Sequence, residues 1–226
     1  MPISEVFNED CMVGMSRYPD KFFDLAIVDP PYFSGPESRL FYGAKESSLG
    51  IKRLYKSIKH WDRPTLEYFT ELKRVSKKYI FWGCNYFQFP FHTGRIAWDK
   101  VNDSSDYSDF ELAATDLFDH ARIFRFMWNG MLQGESITNG SKQQGNKRLN
   151  EKRIHPTQKP IALYKWILNK YAEPGSRILD THMGGQSSRI AAFNMGFYYW
   201  GWELDKDYFE AGNKRFKEQT MQLKAF

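Results

Sequence analysis

The chain has 226 residues, 42% of them hydrophobic and 17% aromatic, which is enough for one sizeable core and too few residues for two large independent domains. That composition excludes global disorder, and no run approaches the ~18 apolar residues of a membrane helix. A net charge of +5 suits a polyanionic partner without requiring one. The first twenty residues lack a basic region followed by an apolar stretch, so no secretion signal is expected. Two cysteines, Cys11 and Cys84, have no metal-ligand spacing around them and imply reduced thiols, no metal site and a cytoplasmic location.

Short apolar runs alternate with helical patterns, which predicts an α/β fold with a mainly parallel sheet. Leu25-Ala26-Ile27-Val28, entered from Phe22-Phe23-Asp24, reads as the first buried strand. Phe33 to Trp61 follows, polar, basic and glycine-bearing, with no clear period. Leu66, Phe69, Leu72 and Val75 recur at a helical interval and predict a helix from Pro64 to Lys77. Tyr79–Trp82, Arg95–Trp98 and Arg122–Phe126 are the next strand candidates. Asn129 to Arg153 is rich in Gly, Ser, Gln, Asn and Lys and reads as a long loop. Thr157 is placed to cap a helix from Gln158 to Tyr171, with Pro160 in its first turn and Glu173-Pro174-Gly175 ending it. Arg177–Leu179 and Gly196–Trp202 predict two more strands. A last helix is expected from Lys206 to about Leu223.

Asp29-Pro30-Pro31-Tyr32 follows the first buried strand directly. Ligands of open α/β sheets bind outside the carboxyl ends of the strands, so this run sits where chemistry is expected. An acid followed by two prolines makes a rigid loop with few donors and free carbonyls. Such a loop suits an aromatic amine like adenine N6, whose nitrogen lone pair is delocalised into the ring. The Asp29 carboxylate and the Pro30 carbonyl can each accept one amino hydrogen, which favours a pyramidal nitrogen with its lone pair directed at an electrophilic methyl. Tyr32 offers a flat face for an extruded base, since the target atom is out of reach inside a duplex. The plain structural alternative is a strand-ending acid, a proline turn and a core tyrosine.

Downstream, Leu179-Asp180-Thr181-His182-Met183-Gly184-Gly185-Gln186-Ser187-Ser188 joins a strand to a helical pattern, with Gly184 and Gly185 able to let the backbone approach a ligand. Glu203 ends the next strand, where an acid can accept from ribose hydroxyls. These segments, with Asn8-Glu9-Asp10-Cys11 and His155-Pro156-Thr157-Gln158-Lys159-Pro160, resemble the amino-methylating DNA methyltransferases in their circularly permuted β arrangement, with the catalytic loop before the cofactor loop. Asp-Pro-Pro-Tyr resembles that family's catalytic signature, and its aspartate form is typical of adenine N6 enzymes. The cofactor loop of the family is usually Asp-Pro-Phe-x-Gly-Ser-Gly-Thr. Asp180 and Gly184 match it, while Thr181-His182, Gln186 and Ser187 depart from it.

The resemblance implies a single domain over residues 1–226 with a Rossmann-like, seven-stranded, mainly parallel sheet and helices on both faces. It implies catalytic roles for Asp29, Pro30, Pro31 and Tyr32. S-adenosyl-L-methionine is the implied cofactor, held by Asp10 at its adenine amino group, by Asp180, Gly184, Gly185 and Glu203, and by Lys159 at a carboxylate or phosphate. Double-stranded DNA is the implied substrate. The basic segments 33–61 and 129–153 are the expected contacts, through Arg39, Lys45, Lys52, Arg53, Lys147 and Arg148. A chain this small leaves room for only a short recognition site or for help from a homodimer, and a cognate restriction nuclease is the other partner considered. Cytosine N4 methylation is the nearest alternative, and an inactive DNA-binding module on the same fold, suggested by Gln186, is the next.

Overall fold

In the computed structural model of the chain, residues 2–32, 61–101, 108–129, 132–134 and 150–221 are described. Ten strands and five helices alternate along them. Strands β1 (Ser4–Phe7), β2 (Phe23–Val28), β3 (Ser76–Trp82), β4 (Gly94–Asp99), β5 (Phe110–Thr115), β6 (Ala121–Arg125), β9 (Arg177–Asp180) and β10 (Tyr198–Trp202) form one sheet in the order β1-β10-β9-β2-β3-β5-β4-β6. Only β5 runs against its neighbours β3 and β4; the other pairings are parallel. The sheet is mainly parallel as expected, but it has eight strands rather than seven.

The two strands of this sheet that periodicity did not predict are β1 and β5. Ser-Glu-Val-Phe is a short, half-exposed edge strand, and Phe-Glu-Leu-Ala-Ala-Thr carries an acid and two alanines that disfavour strands in isolation. Tertiary pairing overrides both weak preferences. A further departure lies within the segment expected to be a loop. β7 (Trp128–Asn129) and β8 (Leu132–Gln133) pair as a small antiparallel ladder of their own.

The central strands are covered on both faces, which is why they read as continuous apolar runs rather than alternating ones. Leu25, Ile27, Ile80, Trp82, Ile178 and Tyr199 point to one layer, where they pack with Leu163, Ile167 and Ile190. Those partners come from α3 (Ile161–Tyr171) and α4 (Ser187–Asn194), and Phe209 and Phe216 of α5 (Lys206–Met221) flank them. Ala26, Val28, Tyr79, Phe81, Leu179 and Trp202 point to the other layer, against Met15, Phe69, Leu72 and Val75 of α1 (Cys11–Met15) and α2 (Leu66–Val75). Each fully buried Leu, Ile or Phe contributes about 1.5–3 kcal/mol relative to an exposed one.

Two helix boundaries differ from expectation for identifiable reasons. The helix expected to run to Lys77 ends at Val75, because Ser76 already pairs with Phe23 in the sheet. Its Leu66 is exposed, and Tyr68 takes the buried place beside Phe69. The helix expected from Gln158 begins at Ile161 with Pro160 as its N-cap. Lys159 precedes a proline, and that position is sterically biased away from helical backbone. Thr157 bonds the His155 ring instead of capping, and the Ile161 amide is taken by the Glu151 carboxylate at 2.9 Å.

β2 and β9 are parallel neighbours near the middle of the sheet. Among the described residues, the helix after β2, α2, lies on one face, and the helix after β9, α4, lies on the other. The connections therefore diverge between these two strands. Such a topological switch point opens a crevice at the strands' carboxyl ends, where Asp29 and Asp180 both lie.

Candidate active site

Asp29-Pro30-Pro31-Tyr32 leaves the end of β2. Neither proline has an N–H to continue the ladder, so the chain turns out of the sheet there. The Tyr32 hydroxyl donates to Asp29 Oδ1 at 2.5 Å, and its ring stacks on Tyr86 with centroids 4.9 Å apart and planes 13° apart. Tyr86 belongs to a single 3-10 turn, Cys84–Tyr86, that follows β3 and opens with Gly83 at φ 71°. A Cβ on Gly83 would lie 2.0 Å from the Tyr32 ring. Both the left-handed backbone and the close ring contact demand glycine there.

Lys159 is the centre of this end of the site. It is almost fully buried, and its Nζ lies 2.6 Å from Asp29 Oδ2, 2.7 Å from Glu111 Oε2 and 3.2 Å from the Tyr32 hydroxyl. Glu111, on β5, also holds Lys100 Nζ at 2.6 Å. Two acids and two lysines therefore form one neutral network. A buried ammonium is costly unless it is paired, and here two carboxylates surround it. Burial opposes the charge of Lys159, but Asp29 and Glu111 together raise its pKa. Burial also works against Glu111, yet Lys159 and Lys100 hold it at about 2. Asp29 is pushed above the usual carboxylate range by burial, which Lys159 only partly offsets.

The sequence paired Lys159 with a cofactor carboxylate or a phosphate; within the protein its ammonium contacts the Asp29–Tyr32 loop. Glu111, Lys100, Tyr86 and Gly83 were not singled out in the sequence. Glu111 comes from the strand that periodicity missed, and it carries no motif that could have revealed it.

The second half of the site hangs from β9 and β10. Asp180 is buried at the end of β9, accepting from Ser188 Oγ at 2.5 Å and from the His182 amide at 3.0 Å. Burial lifts its pKa to about 6. It braces the loop from beneath, while Thr181 to Gly185 face the opening. Glu203, after β10, accepts from the Gly184 amide at 2.8 Å and the Asp205 amide at 2.9 Å, and burial raises it to about 7. Asp10 caps α1 through the Met12 amide at 2.6 Å. Asn8 donates to the carbonyls of Glu203 and Leu204, so the first and last strands are tied at this point.

Gln186 resolves a difficulty posed by the sequence. It stands at the motif's second glycine and adopts φ 59°, the conformation a glycine would take freely. Its side chain is wholly buried against α5: Oε1 accepts from Arg189 at 2.9 Å, and Nε2 donates to the Phe209 carbonyl at 3.3 Å. It does not line the opening. The departure from the motif is accommodated behind the loop.

Both halves open into one cavity of about 770 Å³. Asp29, Pro30, Pro31, Tyr32 and Lys159 line one end, and Asp10, Gly184, Gly185 and Glu203 line the other. Tyr68 and His182 join the lining, linked through Thr181 by hydrogen bonds of 2.6 and 2.9 Å. Burial lowers His182 to about 4, so the ring is neutral near pH 7. Cys11 also lines the cavity, but burial pushes its thiol up to about 12, so it is no thiolate nucleophile at neutral pH. Among the described residues no cluster of three or more His, Cys, Asp or Glu could hold a metal ion, and no helix is long and apolar enough to cross a membrane. Arg39, Lys45, Lys52, Arg53, Lys147 and Arg148 lie outside the described residues.

Residues 119–214 match the family model described as "DNA methylase", for the N6 and N4 enzymes. The chain is 24% identical to the type II methyltransferase M.HinfI of Haemophilus influenzae, over 96% of this chain and 69% of that protein. Among solved structures, an M1.HpyAVI–SAM complex shares 18% identity at a TM-score of 0.55, covering 94% of this chain and 100% of that one. PvuII DNA methyltransferase, described as cytosine-N4-specific, shares 11% identity at a TM-score of 0.57, covering 98% and 91%. Those two likenesses bear on the fold alone. The match over residues 119–214 and the ordered motifs from Asp10 to Glu203 make the chain similar to the β-group amino-methylating (N6/N4) DNA methyltransferases.

Proposed function

We propose that the chain transfers a methyl group from S-adenosyl-L-methionine to adenine N6 in double-stranded DNA. The observation that carries this reading is the single cavity at the sheet's switch point, with the Asp29–Tyr32 loop at one end and the glycine loop at the other. Its volume falls within the range of cofactor sites. The donor set suits a nucleoside-bearing cofactor: the Asp10 and Glu203 carboxylates can accept from amine and hydroxyl hydrogens. The Thr181–Gly185 backbone lines the space between them, and Asp180 holds it in place. When bound, the cofactor supplies an electrophilic methyl group.

The chain's own residues then have defined tasks. The Asp29 carboxylate and the Pro30 carbonyl accept the two amino hydrogens and stabilise positive charge as it develops on nitrogen. Tyr32, fixed by its stack on Tyr86 and by its bond to Asp29, supports a base that has left the duplex. Basic residues of 33–61 and 129–153, among them Arg39, Lys45, Lys52, Arg53, Lys147 and Arg148, are assigned to phosphate and base-edge contact.

Aspartate at the first motif position favours adenine by the family's pattern. Cytosine N4 is the second reading, favoured by the fold likeness to PvuII DNA methyltransferase. An inactive module is disfavoured, because Gln186 turns its side chain into α5 and away from the cavity. Nucleoside analysis of DNA incubated with the enzyme and labelled cofactor separates the three. N6-methyladenine supports the proposal, N4-methylcytosine replaces the target, and bound cofactor without any methylated base overturns the reaction.

A further inference from the structure

Lys159 has three protons to donate, and three acceptors lie within reach: Asp29, Glu111 and the Tyr32 hydroxyl oxygen. One carboxylate would neutralise it. The second needs a reason, since Glu111 is itself drawn into a poorly hydrated site and requires Lys100 on its other oxygen.

The reason follows from the proton balance of the reaction proposed above, on which this inference rests. The amino nitrogen uses its lone pair to form the new N–C bond, and the electrons of the cleaved C–S bond stay with the cofactor sulfur. The nitrogen must also lose a proton, and Asp29 is the carboxylate at hand. If Asp29 were the sole partner of Lys159, protonating it would leave a buried ammonium unpaired. With Glu111 in place, Lys159 keeps a carboxylate throughout, and Asp29 can take and release the proton. We propose that Glu111 is a positioning residue for methyl transfer: through Lys159 it holds the Asp29 carboxylate in place while freeing it to act as the proton acceptor.

The charged and titratable groups that bear on Asp29 are Lys159, Glu111, Tyr32, Tyr68, Tyr164 and Asp180, with Lys100 behind Glu111. Glu111 raises the pKa of Asp29, so its removal should make Asp29 a weaker base in a tighter pair with Lys159.

The test uses the full chain with Glu111→Gln, Lys159→Met and the double variant. Single-turnover methyl transfer is measured against pH, beside a carbon-13 NMR titration of the Asp29 carboxyl in the ligand-free protein. For Glu111→Gln the expected results are a 10- to 100-fold loss of rate and a cofactor KM within about threefold of the parent. Its acidic limb should move to lower pH and the Asp29 titration should move with it. The double variant should be no slower than Lys159→Met, because Glu111 acts through Lys159. An unmoved Asp29 titration in folded Glu111→Gln overturns the proposal, as does a parental rate with an unmoved limb. Should Glu111→Gln fail to fold, Glu111→Asp, which keeps the charge and retracts it, is put through the same titration with the same criterion. If the parent chain methylates no DNA, the reaction assignment fails, while the NMR titration still decides whether Glu111 governs Asp29.

Discussion

At the scale of single residues, the site depends on a few contacts that tolerate little change. Asp29→Ala removes the proposed acceptor for the amino hydrogens, so methyl transfer should fall roughly 100- to 1000-fold or more, with cofactor affinity nearly unchanged. Gly83→Ala would place a methyl group against the Tyr32 ring in a left-handed backbone. It is expected to destabilise the fold by about 1–3 kcal/mol and to lower the rate by displacing Tyr32, which denaturant melts and single-turnover kinetics would register. Glu203 offers a pH test. Burial raises it to about 7, so it becomes a full carboxylate acceptor only as pH rises through that value. If it accepts from cofactor hydroxyls, affinity measured by calorimetry should increase from pH 6 to pH 8. Glu203→Gln should flatten that dependence; a parental profile in the variant would remove Glu203 from the cofactor contacts.

At the scale of elements, the loop between β9 and α4 separates a structural role from a ligand role. Gln186→Ala keeps the strained backbone and deletes the bonds to Arg189 and the Phe209 carbonyl. A loss of about 1–3 kcal/mol in stability is expected, with cofactor affinity within threefold of the parent. A large loss of affinity in a stable variant would contradict the placement of that side chain. His182, which stands for the family's phenylalanine, gives the loop a pH signature. Burial depresses its folded value to about 4, so the unfolded chain binds its proton preferentially between about pH 4 and 6.5. That contribution to stability is present above this window and is lost as pH falls through it. His182→Phe should therefore gain stability relative to the parent on going from pH 8 to pH 5, by about 2 kcal/mol in thermal melts. An equal difference at both pH values would contradict the burial of a neutral ring.

The same loop marks how far the sequence could be read. The strands buried on both faces declared themselves as apolar runs, and the Asp29 and Asp180 segments declared themselves by motif and order. Gly184, Gly185, Asp10 and Glu203, singled out by strand-end position or by the family resemblance, all line the cavity. β1 and β5 stayed hidden because edge position and alanine content leave little local signal, and Glu111 stayed hidden with β5. Lys159 was found by its motif, but its protein partners Asp29 and Glu111 were not. The sequence marks its distance from Asp29 along the chain, and only the pairing of strands brings the two within 2.6 Å.

At the scale of the whole molecule, two loops more than a hundred residues apart in sequence meet because β2 and β9 are adjacent and parallel. The sheet thus supplies a rigid base for a site built from loops. The excess of basic residues, net +5, is expected to act through DNA phosphates. Replacing Lys147 and Arg148 together with alanine should reduce the salt dependence of duplex binding by about two counterions if both touch phosphate. An unchanged slope would remove them from the interface.

The most direct test of the central reading, that one cavity presents a base amino group to the methyl donor, is transfer of labelled methyl from S-adenosyl-L-methionine to mixed-sequence duplex DNA. It would be run beside Asp29→Ala and followed by nucleoside analysis. N6-methyladenine from the parent chain, and none from a folded Asp29→Ala protein that still binds the cofactor, is the expected result. Methylated base formed equally well without the Asp29 carboxylate would contradict it.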